Sequence, residues 1–88
     1  MRVLIVDDEA GIRKTTRMAV ETIGHEVVDV PTGARALRAL EENPCDACFL
    51  DVKLGSENGL ELLERLLQAA PGLAVVMVTA FANIATAV

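Results

Sequence analysis

The sequence predicts an α/β protein, a doubly wound parallel sheet with helices on both faces, and three features carry that prediction. Short apolar runs recur along the chain: Val3-Leu4-Ile5-Val6, Ala47-Cys48-Phe49-Leu50 and Leu73-Ala74-Val75-Val76-Met77-Val78. Runs of this length, rich in branched residues, mark strands buried on both faces. Segments with helical spacing separate them, and strands that alternate with helices build a parallel sheet. Each run also ends on a polar group, the first on Asp7-Asp8, the second on Asp51 and the third on Thr79. Ligands of open parallel sheets bind beyond the carboxyl ends of the strands, so polar groups placed there by separate strands converge on one crevice.

The first strand leads into a helix over Ala10 to Ile23, with Ile12, Thr16, Ala19, Val20 and Ile23 on roughly one face and Gly24 as its C-terminal cap. Glu26 to Val30 is a shorter second strand. Thr32 caps a helix running through Glu42, with Ala36, Leu37 and Leu40 inward, and Asn43-Pro44 stops it. The third strand runs to Asp51. A polar loop from Lys53 to Asn58 leads at Gly59 into a Leu-rich helix, with Leu60, Leu63 and Leu67 on one stripe and Leu62 and Leu66 beside it, the stripe from Leu60 to Leu67 expected as core packing. Pro71-Gly72 closes that helix. After the fourth strand, Asn83 caps a helix that has barely begun at Val88. Residues 1–88 thus read as one domain, with no repeat, low-complexity tract or linker.

A composition of 52% apolar and 24% charged residues suits a globular domain with a core. Thirteen acidic against eight basic residues give a net charge of -5, with no basic cluster and only Phe49 and Phe81 aromatic, which argues against direct nucleic-acid contact. No stretch approaches the roughly 20 apolar residues of a membrane span, and the start shows no signal-peptide pattern, so no membrane contact and a cytoplasmic location are expected. Cys45 and Cys48 have the spacing of a redox or zinc motif. On a strand, residues three apart point to opposite faces; there is no second Cys pair, and His25 is the only histidine, so two ordinary thiols are expected.

Three acids at strand ends suit one hard divalent cation. Mg²⁺ takes oxygen ligands in near-octahedral geometry and is usually held by one or two carboxylates together with a phosphate. Without a cation such a cluster repels itself. Asp7-Asp8 have a second reading, as a solvated strand end or helix N-terminus where the macrodipole favours acids. Asp51 fits that reading less well, because it ends a different buried strand.

Val3-Leu4-Ile5-Val6-Asp7-Asp8-Glu9, then Phe49-Leu50-Asp51-Val52-Lys53-Leu54 with Gly59-Leu60-Glu61-Leu62-Leu63, then Val76-Met77-Val78-Thr79-Ala80-Phe81 resemble the receiver domain of two-component response regulators. The resemblance covers the whole chain, and its ending is most similar to receivers of nitrogen-regulation-type activators. It implies the flavodoxin-like strand order 2-1-3-4-5. It also implies that Asp51 accepts a phosphoryl group from a sensor histidine kinase as an acyl phosphate. Asp7, Asp8, Asp51 and the backbone carbonyl of Lys53 would hold Mg²⁺, and the Thr79 hydroxyl would move to the phosphoryl group, with the small Ala80 leaving room. The role implied is a phosphoprotein switch that controls an output domain in transcription regulation, not an enzyme acting on separate substrates. The Lys53 side chain is expected in solvent, and Gly55 stands where the family often has proline, so a more flexible loop is expected there.

A complete receiver continues through the fourth helix, a fifth strand and a fifth helix, so the sequence reads as a receiver truncated after its fourth strand. The missing part would bring a lysine to the phosphoryl group and an aromatic switch residue. The chain alone is therefore expected to transfer phosphate poorly, and to self-associate through an incomplete sheet edge or face. Two other readings stay open: a receiver-like interaction module that is not phosphorylated, and a phosphatase of the haloacid-dehalogenase type. The latter places a second acid two residues after its nucleophile, where this chain has Lys53.

Overall fold

The computed structural model describes residues 1–78. In chain order they form β1 (Arg2–Val6), α1 (Ala10–Thr22), β2 (Glu26–Val30), α2 (Gly33–Glu42), β3 (Ala47–Asp51), the two-residue strands β4 (Lys53–Leu54) and β5 (Glu57–Asn58), α3 (Gly59–Ala69) and β6 (Ala74–Val78). The four long strands make one parallel sheet in the order β2-β1-β3-β6. That is the expected flavodoxin-like order for the strands described. Ala80, Phe81 and the cap expected at Asn83 lie outside the described residues.

Alternation along the strands divides the core in two. Leu4, Val6, Val30, Cys48 and Leu50 face α2 and α3, where they pack with Ala36, Leu62 and Leu66. Val3, Ile5 and Val27 face the other way and pack with Val20 of α1. Because β1 and β3 are covered on both sides, their side chains read as unbroken apolar runs, and this is what made them legible. Thr32 caps α2, its side-chain oxygen accepting from the Arg35 N–H at 3.2 Å, and Asn58 caps α3 by accepting from the Leu60 N–H at 2.9 Å. Helix α1 ends as predicted at a left-handed glycine. Gly24 has φ +96°, its N–H donates to the Glu21 carbonyl, and the His25 N–H donates to the Val20 carbonyl, the paired bonds that close a helix C-terminus.

Four expectations are corrected. The inward face of α1 carries Arg13, Thr16, Arg17 and Val20, while Ile12 and Ile23 are 39% and 71% exposed and Ala19 is exposed. Asp29, half-buried on β2, draws Arg13 and Arg17 inward, so apolar spacing misassigned the face. On α3 the buried side chains are Leu62 and Leu66, with Leu63 partly buried, whereas Leu60 and Leu67 lie outward. Gly59 fixes that rotation: a Cβ there would lie 2.5 Å from the Val52 carbonyl oxygen, so this edge of the helix sits against backbone. Residues 53–58 form an antiparallel hairpin rather than a plain loop, because Leu54 is buried in the core and Glu57 opposes it. Cys45 precedes β3 instead of lying in it, so strand alternation does not govern it. Both thiols pack against the same core cluster.

Candidate functional site

Register brings the acids together. Val6 of β1 stands opposite Leu50 of β3, so the residues that follow, Asp7 and Asp51, leave adjacent strands at the same level. Side-chain oxygens of Asp7, Asp8 and Asp51 all lie within 4.8 Å of one another. Asp7 and Asp51 are buried and Asp8 is exposed, giving a site with a dry floor and one open wall. A recess of about 20 Å³ beside it is lined by Ile5, Val6, Thr16, Phe49 and Val78 with the two buried acids. The larger cavity, about 420 Å³, lies between α2, the hairpin and α3 and contains none of the three.

Backbone and charged groups orient the acids. The Glu9 N–H donates to Asp7 Oδ1 at 2.9 Å, and the Lys53 N–H donates to Asp51 Oδ1 at 3.1 Å. Arg13 donates through Nη1 to the Asp7 carbonyl at 2.8 Å and through Nε to Asp29 Oδ2 at 2.9 Å, tying the end of β1 to β2 and α1. Burial pushes the Asp51 carboxyl above its ordinary range; the Lys53 N–H opposes that shift, and the charges of Asp7, Asp8 and Glu9 reinforce it. The donor set offers three hard carboxylate oxygens close together, and it fits a divalent cation. Among the described residues it is also the one group of three or more acids, histidines or cysteines with metal-ligating spacing.

Of the residues expected at the site, Asp7, Asp8 and Asp51 converge and Lys53 follows at the adjoining hairpin. Thr79 lies outside the described residues. Sequence reasoning missed Arg13, Asp29 and Glu57. Arg13 falls four residues after Glu9 and reads as solvated surface, and its partners come from another strand and from a backbone carbonyl, which leave no local trace.

Comparison with known proteins agrees with the topology. The response regulator receiver domain family matches residues 3–88. The alginate biosynthesis transcriptional regulatory protein AlgB of Pseudomonas putida is 42% identical over 87 residues, covering 99% of this chain and 19% of that protein. This chain thus spans about a fifth of that relative's length. Among solved structures, a CheY-like response regulator receiver domain protein from Methanospirillum hungatei superposes with a TM-score of 0.86 at 34% identity, over 98% of this chain and 69% of that one. NtrX from Brucella abortus in complex with ATP gives 0.88 at 34% identity, over 98% and 20%. With its strand order and acid crevice, and with a family match over nearly all of its length, the chain belongs to the response regulator receiver domain family.

Proposed function

We propose that this chain is a phosphoacceptor receiver, in which an Asp51 carboxylate oxygen attacks the phosphoryl group of a phosphohistidine on a sensor kinase. The N–P bond breaks as the O–P bond forms, and Asp51 becomes an acyl phosphate. The observation that carries this reading is a buried carboxylate at the end of β3, with two more acids within 4.8 Å. Asp7, Asp8, Asp51 and the Lys53 carbonyl are the ligands proposed for Mg²⁺, which when bound offsets repulsion between the acids and the incoming phosphoryl oxygens. The Lys53 N–H holds Asp51 in one orientation, leaving its second oxygen for attack. Phosphorylation adds a charge of about -1.5 to -2 and strong acceptors, which would draw in the Thr79 hydroxyl and start the switch.

The name of AlgB and the share of it that this chain spans support a place within a longer transcriptional regulator. We further propose a cytoplasmic location, with no nucleic-acid or membrane contact by the receiver itself, on the acidic charge and the small number of aromatic residues. No helix among the described residues is long and apolar enough to cross a membrane. Mass spectrometry after incubation of the complete regulator with a small acyl phosphate and Mg²⁺ tests the chemistry. One phosphoryl adduct is expected on Asp51 and none in Asp51→Asn; an unmodified Asp51 overturns the reading in favour of an inert interaction module. The chain is also proposed to self-associate through a sheet edge or face, with Val76 and Val78 of β6 49% and 41% exposed. Sedimentation at increasing concentration reads this as a rising mass, and a constant monomer mass excludes it.

A further inference from the structure

Glu57 is a carboxylate that the phosphoacceptor reading does not use, and it is tied across the fold. The Gly33 N–H, at the first turn of α2, donates to both of its oxygens, at 3.2 Å to Oε1 and 3.1 Å to Oε2. A helix N-terminus favours an anion there. A Cβ at position 33 would overlap Glu57 Oε2 and press on the Leu62 methyls, so a side chain there would force the carboxylate to shift. Gly33 itself is buried.

The tethered residue lies on the hairpin that borders the acids. Glu57 opposes Leu54, and Asn58 opposes Lys53, whose N–H fixes Asp51 Oδ1. At the hairpin tip Gly55 adopts φ +59° and lies against the site, so that a methyl there would be 3.6 Å from Asp8 Oδ2. The hairpin therefore reaches Asp51 at one end and Asp8 at its tip. Leu54 in the core and Glu57 on α2 are among the contacts that hold it at this height.

We propose that Glu57 is a positioning residue for the acid site: by binding the N-terminus of α2 through Gly33, it holds the 53–58 hairpin where the Lys53 backbone and Asp8 are aligned for a divalent cation. This rests on the reading of Asp7, Asp8 and Asp51 as a Mg²⁺ site. Glu57 itself touches neither the cation nor the phosphoryl group. It acts as outer-shell partners of metal ligands do, by fixing ligands it does not replace.

Titration of the chain with Mg²⁺ alone, followed by calorimetry and accompanied by thermal melts, tests the proposal. Glu57→Ala is expected to weaken Mg²⁺ binding by about tenfold, the low end for lost outer-shell partners. Gly33→Ala, which places a methyl where the carboxylate sits, should weaken it similarly. A methyl at position 33 also crowds Leu62, at 3.0 and 3.1 Å, and the thermal melts read that core strain separately. For Mg²⁺ affinity, where the shared contact is what counts, the double variant should be no worse than the weaker single. Glu57→Gln keeps an acceptor and should recover most of the affinity, and it decides the matter should Glu57→Ala fail to fold. An affinity within twofold of the unsubstituted chain in Glu57→Ala, or losses that multiply in the double variant, overturns the proposal while leaving the acid site intact. Absence of Mg²⁺ binding by the unsubstituted chain overturns the site and the tether together.

Discussion

Asp51 is held in a place that suits its charge poorly. Its carboxyl titrates above the ordinary range because it is buried, with neighbouring acids adding to the effect. A group whose pKa is higher in the folded than in the unfolded chain contributes most stability below the unfolded value, and that contribution is lost as pH rises through the folded value. At a pH well above the ordinary carboxylate range and without Mg²⁺, the charge on Asp51 therefore weakens the fold. Asp51→Asn is expected to melt higher than the unsubstituted chain under those conditions, and the gain should vanish as pH falls below the ordinary carboxylate range; melts across pH read both. Gly59 is constrained by a different force. A Cβ there would lie 2.5 Å from the Val52 carbonyl and 2.7 Å from the Asp51 carbonyl, and backbone cannot step aside as a flexible side chain would. Gly59→Ala should cost about 1–3 kcal/mol in urea unfolding and displace Asp51 with it.

Among the elements, α2 starts at the Thr32 cap that the sequence announces, whereas the Asn58 cap of α3, read from the sequence only as the end of a loop, and the face of α1 were hidden. Thr32→Ala and Asn58→Ala each remove one acceptor from a helix start and should each cost about 1 kcal/mol by urea denaturation. The two losses should add unless Asn58 also supports the hairpin. The strands and the acids at their ends could be read from the chain because burial on two faces leaves a continuous apolar run, and a polar residue ends it. Other features depend on partners distant in sequence. Arg13 and Arg17 turn inward only because Asp29 waits on β2, 16 and 12 residues away. Leu60 and Leu67 point outward because Gly59 presses on the Val52 carbonyl, a rotation that leucine spacing alone does not encode. The tether between Glu57 and Gly33 spans 24 residues, and nothing local marks either one.

For the molecule as a whole, a cation that binds only the folded chain raises stability by mass action. At a hundredfold excess of free Mg²⁺ over its dissociation constant the gain is about 2.7 kcal/mol, so Mg²⁺ should raise the melting temperature, a chelator should reverse the shift, and Asp8→Ala should remove most of it. Among the described residues the two cores differ in cover: the cluster facing α2 and α3 includes ten buried residues, the one facing α1 four. Opening should therefore begin on the α1 side and reach β3 last. Cys48, in the middle of β3, is fully buried and its thiol is pushed up to about 12, whereas Cys45 is only partly buried. A thiol reagent should thus label Cys45 early and wait for complete opening of the sheet to reach Cys48. The strand that ends on Asp51 thereby has its own chemical clock, which reports how often the domain comes apart in the absence of any denaturant.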